Sequence, residues 1–417
     1  MKPIWFAAAA MAALSLSAFG AQAREIPARD GGACLDAACE RQMLFDTLDA
    51  AGAGGGTAPV SLESPRYGTW GFDVSGMDRS VKPGDDFYKF ANGTWDANTA
   101  IPSDRVRYGN FDKLAELSEA RTKAIITEAA ASKAPDADTV KIGAAYKAFM
   151  DEALAEKLDA KPIAPELADI RKVGTKDDFT ALMGRNPTTG FSAILGLGIS
   201  PDAKAPTRYA VYATTGGLSL PDRDYYLDAK FAEKKAAYEA YVAQMLTLIG
   251  WDKPAENAKA VVAFETQLAE ASWTRAERRD RDKTYNPMTL AQLQDLTPGF
   301  AWNRYLVGTE LPQIDRVVVT TNTAFPKFAK VYADTPLDTL KAWQAFKVAD
   351  GAAPLLSKRF VDASFAFRNK TLAGQPEQKP RWKRAVASVN DQLGEAVGRV
   401  YVARYFPPES KAKMVDL

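Results

Sequence analysis

From residue 85 onward, apolar residues return at helical spacing in one segment after another, and that periodicity leaves room for little but a mainly α fold. Asp85-Asp86 opens one helix, with Phe87, Phe90, Ala91 and Trp95 on one face and the two acids set against the positive end of the helix dipole. Segment 111–131 carries Leu114, Leu117 and Ile125 at the same spacing, and 136–158 carries Ile142, Tyr146 and Met150. Further helices are expected over 230–249, stopped by Gly250, and over 257–275 and 336–348. The longest, 380–406, aligns Trp382, Val386, Val389, Leu393, Val397, Val400 and Tyr401. Within it Gly394 and Gly398 are expected to admit a neighbouring helix, since the flanking charges exclude a membrane dimer motif. Strand signals are few: 191–199 and 208–213 read as a hairpin, and 316–320 as a third strand. The expected class is therefore a large multi-helix domain with a small β-hairpin element.

The N-terminus has a different character. Met1-Lys2-Pro3 supplies one positive charge, an apolar run fills 4–19, and Gly20 and Ala21-Gln22-Ala23 offer the small residues a signal peptidase reads. The run is shorter than the roughly 20 apolar residues a bilayer core requires. It reads as a signal peptide, 1–23, cleaved after Ala23, which implies export to the periplasm or outside the cell and no membrane span after cleavage. Residues 24–66 read as a flexible tether around Ala51-Gly52-Ala53-Gly54-Gly55-Gly56, and compact structure is expected over 67–417. Cys34 and Cys39, the only cysteines, suit a short-loop disulfide in an oxidising compartment, or else two thiols on one helical face. At the other end Pro407-Pro408-Glu409 reads as a fresh helix start, with Met414 and Leu417 opening an apolar face. The sequence stops there, which reads as an interrupted helix in an incomplete polypeptide.

Several chemistries are excluded outright. The 417 residues include no histidine, so HExxH zinc sites, Ser-His-Asp triads and Cys-His pairs cannot be built, and two cysteines cannot make a four-thiolate site. A formal net charge of +1 lacks the basic excess that nucleic acid binding uses. Asp222-Arg223-Asp224 and Asp280-Arg281-Asp282 alternate acid and base, as ion-paired turns or solvated faces do. More suggestive is Arg105-Val106-Arg107-Tyr108-Gly109-Asn110-Phe111-Asp112. Gly109-Asn110 makes a turn, across which Arg107 and Asp112 can face each other, either as a structural ion pair or as a carboxylate receptor in which the acid steadies the guanidinium.

This block belongs to a longer ordered set. Cys34-Leu35-Asp36-Ala37-Ala38-Cys39 is followed by Pro83-Gly84-Asp85-Asp86-Phe87-Tyr88-Lys89-Phe90-Ala91-Asn92-Gly93-Thr94-Trp95, then by Arg107-Tyr108-Gly109-Asn110-Phe111-Asp112. Gly217-Leu218-Ser219-Leu220-Pro221-Asp222-Arg223-Asp224-Tyr225-Tyr226-Leu227, Tyr285-Asn286-Pro287-Met288, Pro380-Arg381-Trp382 and Gly398-Arg399-Val400-Tyr401-Val402 come after. From about residue 67 to the end, the chain resembles the N-terminal region of neprilysin-type zinc metallopeptidases, the group of neprilysin and endothelin-converting enzyme. The resemblance implies a helical domain that faces a catalytic domain across a chamber open to oligopeptides. It implies that Arg107 holds the substrate's C-terminal carboxylate, that Asp112 orients that arginine, and that Phe111 lines the pocket for the side chain after the scissile bond. Gly84 and Asn92 stand where animal members have cysteines, a departure shared with similar bacterial members.

The family's HExxH helix, its later glutamate ligand and its Asn-Ala-Phe/Tyr strand have no counterpart in this sequence. Zinc is therefore expected only in a complete enzyme, with no cofactor, metal ligand or catalytic residue in this chain. Two functions remain open. One is the N-terminal, substrate-enclosing part of an exported zinc metalloendopeptidase, cut short before its zinc motif and partnered by the missing catalytic domain. The other is a non-catalytic exported peptide-binding module built on Arg107.

Overall fold

A computed structural model of the chain describes residues 61–64, 73–133, 136–186, 189–309, 311 and 314–417. The segment read as a signal peptide, most of that read as a tether, and both cysteines lie outside the described residues. The helices that carry the packing are α1 (Phe87–Asn98), α2 (Asn110–Ala131), α3 (Ala137–Met150), α4 (Ala232–Leu248), α5 (Pro254–Ala271), α6 (Leu337–Ala352) and α7 (Arg381–Tyr405). The described residues fall into two compact units, one drawn from Met1–Met150 and Lys379–Leu417, the other from Asp151–Gln378.

In the first unit α2, α3 and α7 close on one another. Ile125 and Ile126 of α2, Ile142 of α3, and Val386, Val389 and Val397 of α7 form the core, with Trp382, Tyr401 and Tyr405 packed at its edge. The close helix approach expected at Gly394 and Gly398 is not there: a Cβ at either would meet nothing within 4 Å. It occurs at Gly143 of α3, where an added Cβ would lie 2.7 Å from the Ala129 carbonyl oxygen of α2 and 3.0 Å from the Ala130 Cα. Beside Gly394, Leu393 has non-helical backbone angles that kink α7. Asp86 caps α1 by accepting from the Lys89 N–H. Phe87 stays exposed, so the face predicted for α1 is only half-buried, at Phe90, Ala91 and Trp95.

The second unit mixes helices with a four-stranded sheet. Its strands are β1 (Leu195–Asp202), β2 (Ala205–Thr215), β3 (Asn286–Thr289) and β4 (Arg316–Val319), in the order β1-β2-β4-β3. β1 and β2 form the expected hairpin, running from Leu195 opposite Thr215 to Asp202 opposite Ala205. Both strands run further toward the turn than predicted, because buried Asp202 accepts from the Lys204 N–H and tightens it. β4 lies parallel to β2, and β3 antiparallel to β4. β3 was not foreseen; its Pro287 is tolerated because β3 is an edge strand. The core gathers Trp302, Trp343, Tyr238, Tyr305, Tyr332 and a set of phenylalanines, all fully buried.

Helix limits depart from expectation where caps intervene. The segment read as 136–158 is two helices, because Asp151 accepts from the Leu154 N–H and starts Glu152–Leu158 afresh. α5 begins earlier, with Pro254 in its first turn, and Thr274 with Glu277 forms a capping box that opens Arg275–Arg279. Gly250 follows α4 with φ +62°, as a helix stop requires. Pro408–Asp416 forms the last helix, with Met414, Val415 and Leu417 exposed. Among the described residues no helix is long and apolar enough to cross a membrane.

Candidate functional site

The residues singled out by the resemblance lie in the first unit, where the 101–109 loop runs into α2. Gly109 takes the N-cap position without a side chain to offer, and Asp112 places its charge in the first turn instead. Phe111, on the same turn, is 88% exposed. Arg107 is exposed too, and among the described residues it forms no ion pair or hydrogen bond.

The guanidinium beside Asp112 is that of Arg105, at 3.7 Å, in place of the Arg107 pairing that the turn suggested. Arg105 takes this position because other acids face the same point. Its Nη2 lies 3.1 Å from Glu116, one helical turn beyond Asp112, and its Nε 3.8 Å from Asp104. Its side chain is only 14% exposed. The network extends both ways: Tyr108 donates to Glu116 at 2.8 Å, and Lys383 of α7 lies 2.7 Å from Asp104. Burial, helped by Glu116, pushes the Tyr108 hydroxyl up to about 12. Burial likewise raises Glu119 above the usual carboxyl range, against the pull of Lys383 and Arg105. Arg105 and Tyr108 thus turn inward to hold the loop, while Val106, Arg107 and Phe111 face outward. Sequence reasoning missed Arg105 and Lys383. The run of carboxylates at 104, 112, 116 and 119 was the available signal that a second cation was needed.

A second polar cluster sits in the core of the other unit. Glu265, fully buried on α5, accepts from Ser219 Oγ at 2.7 Å and Trp343 Nε1 at 2.9 Å on one oxygen. The other oxygen accepts from the Tyr226 hydroxyl at 2.5 Å and the Tyr238 hydroxyl at 2.9 Å. Burial beside this carboxyl raises both tyrosine hydroxyls well above their ordinary value. Nearby, Arg368 pairs with Asp350 and donates to the Ser219 carbonyl at 3.0 Å. Every group here is occupied, and together they fasten the 217–226 block. A carboxylate among Val261, Val262, Leu268 and Ala269, on an otherwise apolar helix face, was its sign in the sequence. Asp222 is ion-paired, at 2.6 Å to Arg275 and 2.9 Å to Arg278, and Asp280 accepts from the Asp282 N–H in a turn.

Among the described residues no group of three or more His, Cys, Asp or Glu could hold a metal ion. With no histidine in the sequence, this chain's residues do not fit a zinc centre of the family type, and no catalytic step is assigned to them.

Residues 83–417 match a family model described as Peptidase family M13. The chain belongs to peptidase family M13. Rat endothelin-converting enzyme 1 is 28% identical over 375 residues, which is 85% of this chain and 48% of the rat protein. Human endothelin-converting enzyme-like 1 is 25% identical over 396 residues, 90% of this chain and 51% of that protein. Among solved structures, the inhibitor complex of the zinc metalloprotease Zmp1 of Mycobacterium tuberculosis is 33% identical, with a TM-score of 0.78, over 82% of this chain and 53% of Zmp1. PepO of Lactobacillus rhamnosis shares the fold at 20% identity and a TM-score of 0.70, over 81% of this chain and 54% of PepO. The M13 chain described here spans about half the length of the curated relatives it matches.

Proposed function

We propose that this chain is the N-terminal, substrate-enclosing part of an exported neprilysin-like zinc metalloendopeptidase that acts on oligopeptides. Zinc and the residues that activate water would lie outside this chain, in the catalytic domain that is its partner. The chain's own contribution is capture. Arg107 receives the substrate's C-terminal carboxylate, Phe111 meets the neighbouring side chain, and Asp112 serves at the foot of the site. The domain plan that goes with this reading is a signal peptide cleaved after Ala23, a tether over 24–66 that carries a Cys34–Cys39 disulfide, and an enclosing domain over 67–417.

The observation that carries the reading is that Arg107, with no ion pair or hydrogen bond among the described residues, and Phe111, four residues on at the start of α2, are both exposed. A guanidinium offers two parallel N–H groups that match a carboxylate, and an uncovered ring offers apolar contact. The test is binding of a short peptide as free acid and as amide, with wild type and Arg107→Ala. The substitution is expected to weaken the free acid about tenfold or more, since a charge-assisted bond is worth roughly 1.5–3 kcal/mol, and to leave the amide nearly unchanged. Equal weakening of both peptides would refute the assignment.

A further inference from the structure

We infer that Arg105 is the positioning residue of this site, acting as the counter-ion that keeps the α2 carboxylates off Arg107; the inference rests on the reading of Arg107 as carboxylate receptor. Two arginines, 105 and 107, flank one residue, and Asp112 and Glu116 stand within reach of the loop that bears both. The structure distributes these charges unequally. Arg105 takes both Asp112 and Glu116, at 3.7 and 3.1 Å, and is nearly buried among them. Asp104 is held in turn by Lys383 at 2.7 Å. Arg107 is left with no partner among the described residues.

This division has a chemical consequence. An Arg107 paired with an internal carboxylate would have part of its charge neutralised and fewer N–H groups left to grip a ligand's carboxylate in the two-bond fashion. If Asp112 or Glu116 were released, Arg107, on the same loop and with no ion pair among the described residues, would be open to it, and an internal acid would fill the place meant for a ligand. Arg105 thus works through Arg107 and need not touch the ligand. It satisfies the acids and faces the loop outward, with Tyr108 fastened to Glu116 as a second point of hold. Asp112 then acts on the receptor arginine at one remove, through Arg105.

The experiment uses the full chain and two readouts. The first is binding of a fluorescein-labelled pentapeptide ending in leucine, as free acid and as amide. Arg105→Gln should cut the preference for acid over amide about tenfold, the scale of one charge-assisted hydrogen bond. Arg105→Lys should keep most of the preference, and adding Glu116→Gln to Arg105→Gln, which removes the nearer of the two acids, should restore part of it. A merely structural loss would lower acid and amide binding together and would not be rescued by deleting an acid; that result overturns the proposal. The second readout needs no peptide: the rate at which phenylglyoxal modifies Arg107, followed by mass spectrometry. Arg107 should react at least about threefold more slowly in Arg105→Gln, because a paired guanidinium is masked, and should recover in the double variant. An unchanged rate overturns the proposal. If wild type shows no preference for the free acid, the receptor reading fails while the modification rates still decide whether Arg105 keeps Arg107 free.

Discussion

Replacing Glu265 with alanine should be among the most damaging single changes in the Asp151–Gln378 unit. The carboxyl is fully buried and only accepts, taking hydrogen bonds from Ser219, Tyr226, Tyr238 and Trp343. Trp343 has a second acceptor in the Gly217 carbonyl at 3.3 Å, so its loss is partial. The Ser219, Tyr226 and Tyr238 hydroxyls would each lose their carboxylate acceptor. At about 1 kcal/mol or more for each orphaned donor, with about 0.8 kcal/mol for the lost methylene and a remainder for the cavity, the cost comes to about 4–6 kcal/mol. Against a typical total of 5–15 kcal/mol, that would leave the unit marginal or unfolded. Glu265→Gln keeps one accepting oxygen and should cost less, about 1–3 kcal/mol. Urea unfolding followed by near-UV circular dichroism, with hydrogen exchange read over 254–271, would give both values for this unit. A shift below about 1 kcal/mol for the alanine variant would refute the view that this cluster holds the 217–226 block.

Two further outcomes are expected. Gly143→Ala forces a Cβ to 2.7 Å from the Ala129 carbonyl, so overpacking of about 1–3 kcal/mol should outweigh a helix-propensity gain of roughly 1 kcal/mol, whereas Gly398→Ala, with nothing within 4 Å, should stabilise; thermal melting of the two variants separates them. The Asp202 carboxyl is lowered from 3.8 to about 2, first by the Lys204 N–H and then by Tyr285 and Arg316. A depressed carboxyl stabilises above its ordinary value and loses that contribution as the pH falls through about 2. Asp202→Asn should therefore melt below wild type at neutral pH and converge on it near pH 2; parallel curves across that range would refute the linkage.

Much of this was written in the sequence, and the gaps have physical causes. Helical periodicity placed α2 and α7 to within a residue at each start, since each buries one stripe of its surface. The split at Asp151 escaped notice because the apolar spacing of Ile142, Tyr146 and Met150 runs straight up to it, while a cap acts through one hydrogen bond. β3 escaped because its four residues are too few to show alternation and one is proline. At the candidate site, spacing brought Arg107 and Asp112 to one turn, but it cannot rank two arginines that compete for one acid. That ranking depends on Asp104 and Glu116, which only the folded loop brings to a point.

The first unit is assembled from two stretches of chain, with the whole of Asp151–Gln378 between them. More than half of its buried core, Val386, Val389, Ala396 and Val397, belongs to α7. During synthesis α2 and α3 leave the ribosome first, yet they have no third helix to close against until the intervening unit has been made. At about 5–20 residues per second that interval is on the order of 10–50 s. Through it Ile125, Ile126 and Ile142 lack their α7 partners, so a nascent chain of this kind presents a timed apolar surface that holdase chaperones are suited to cover.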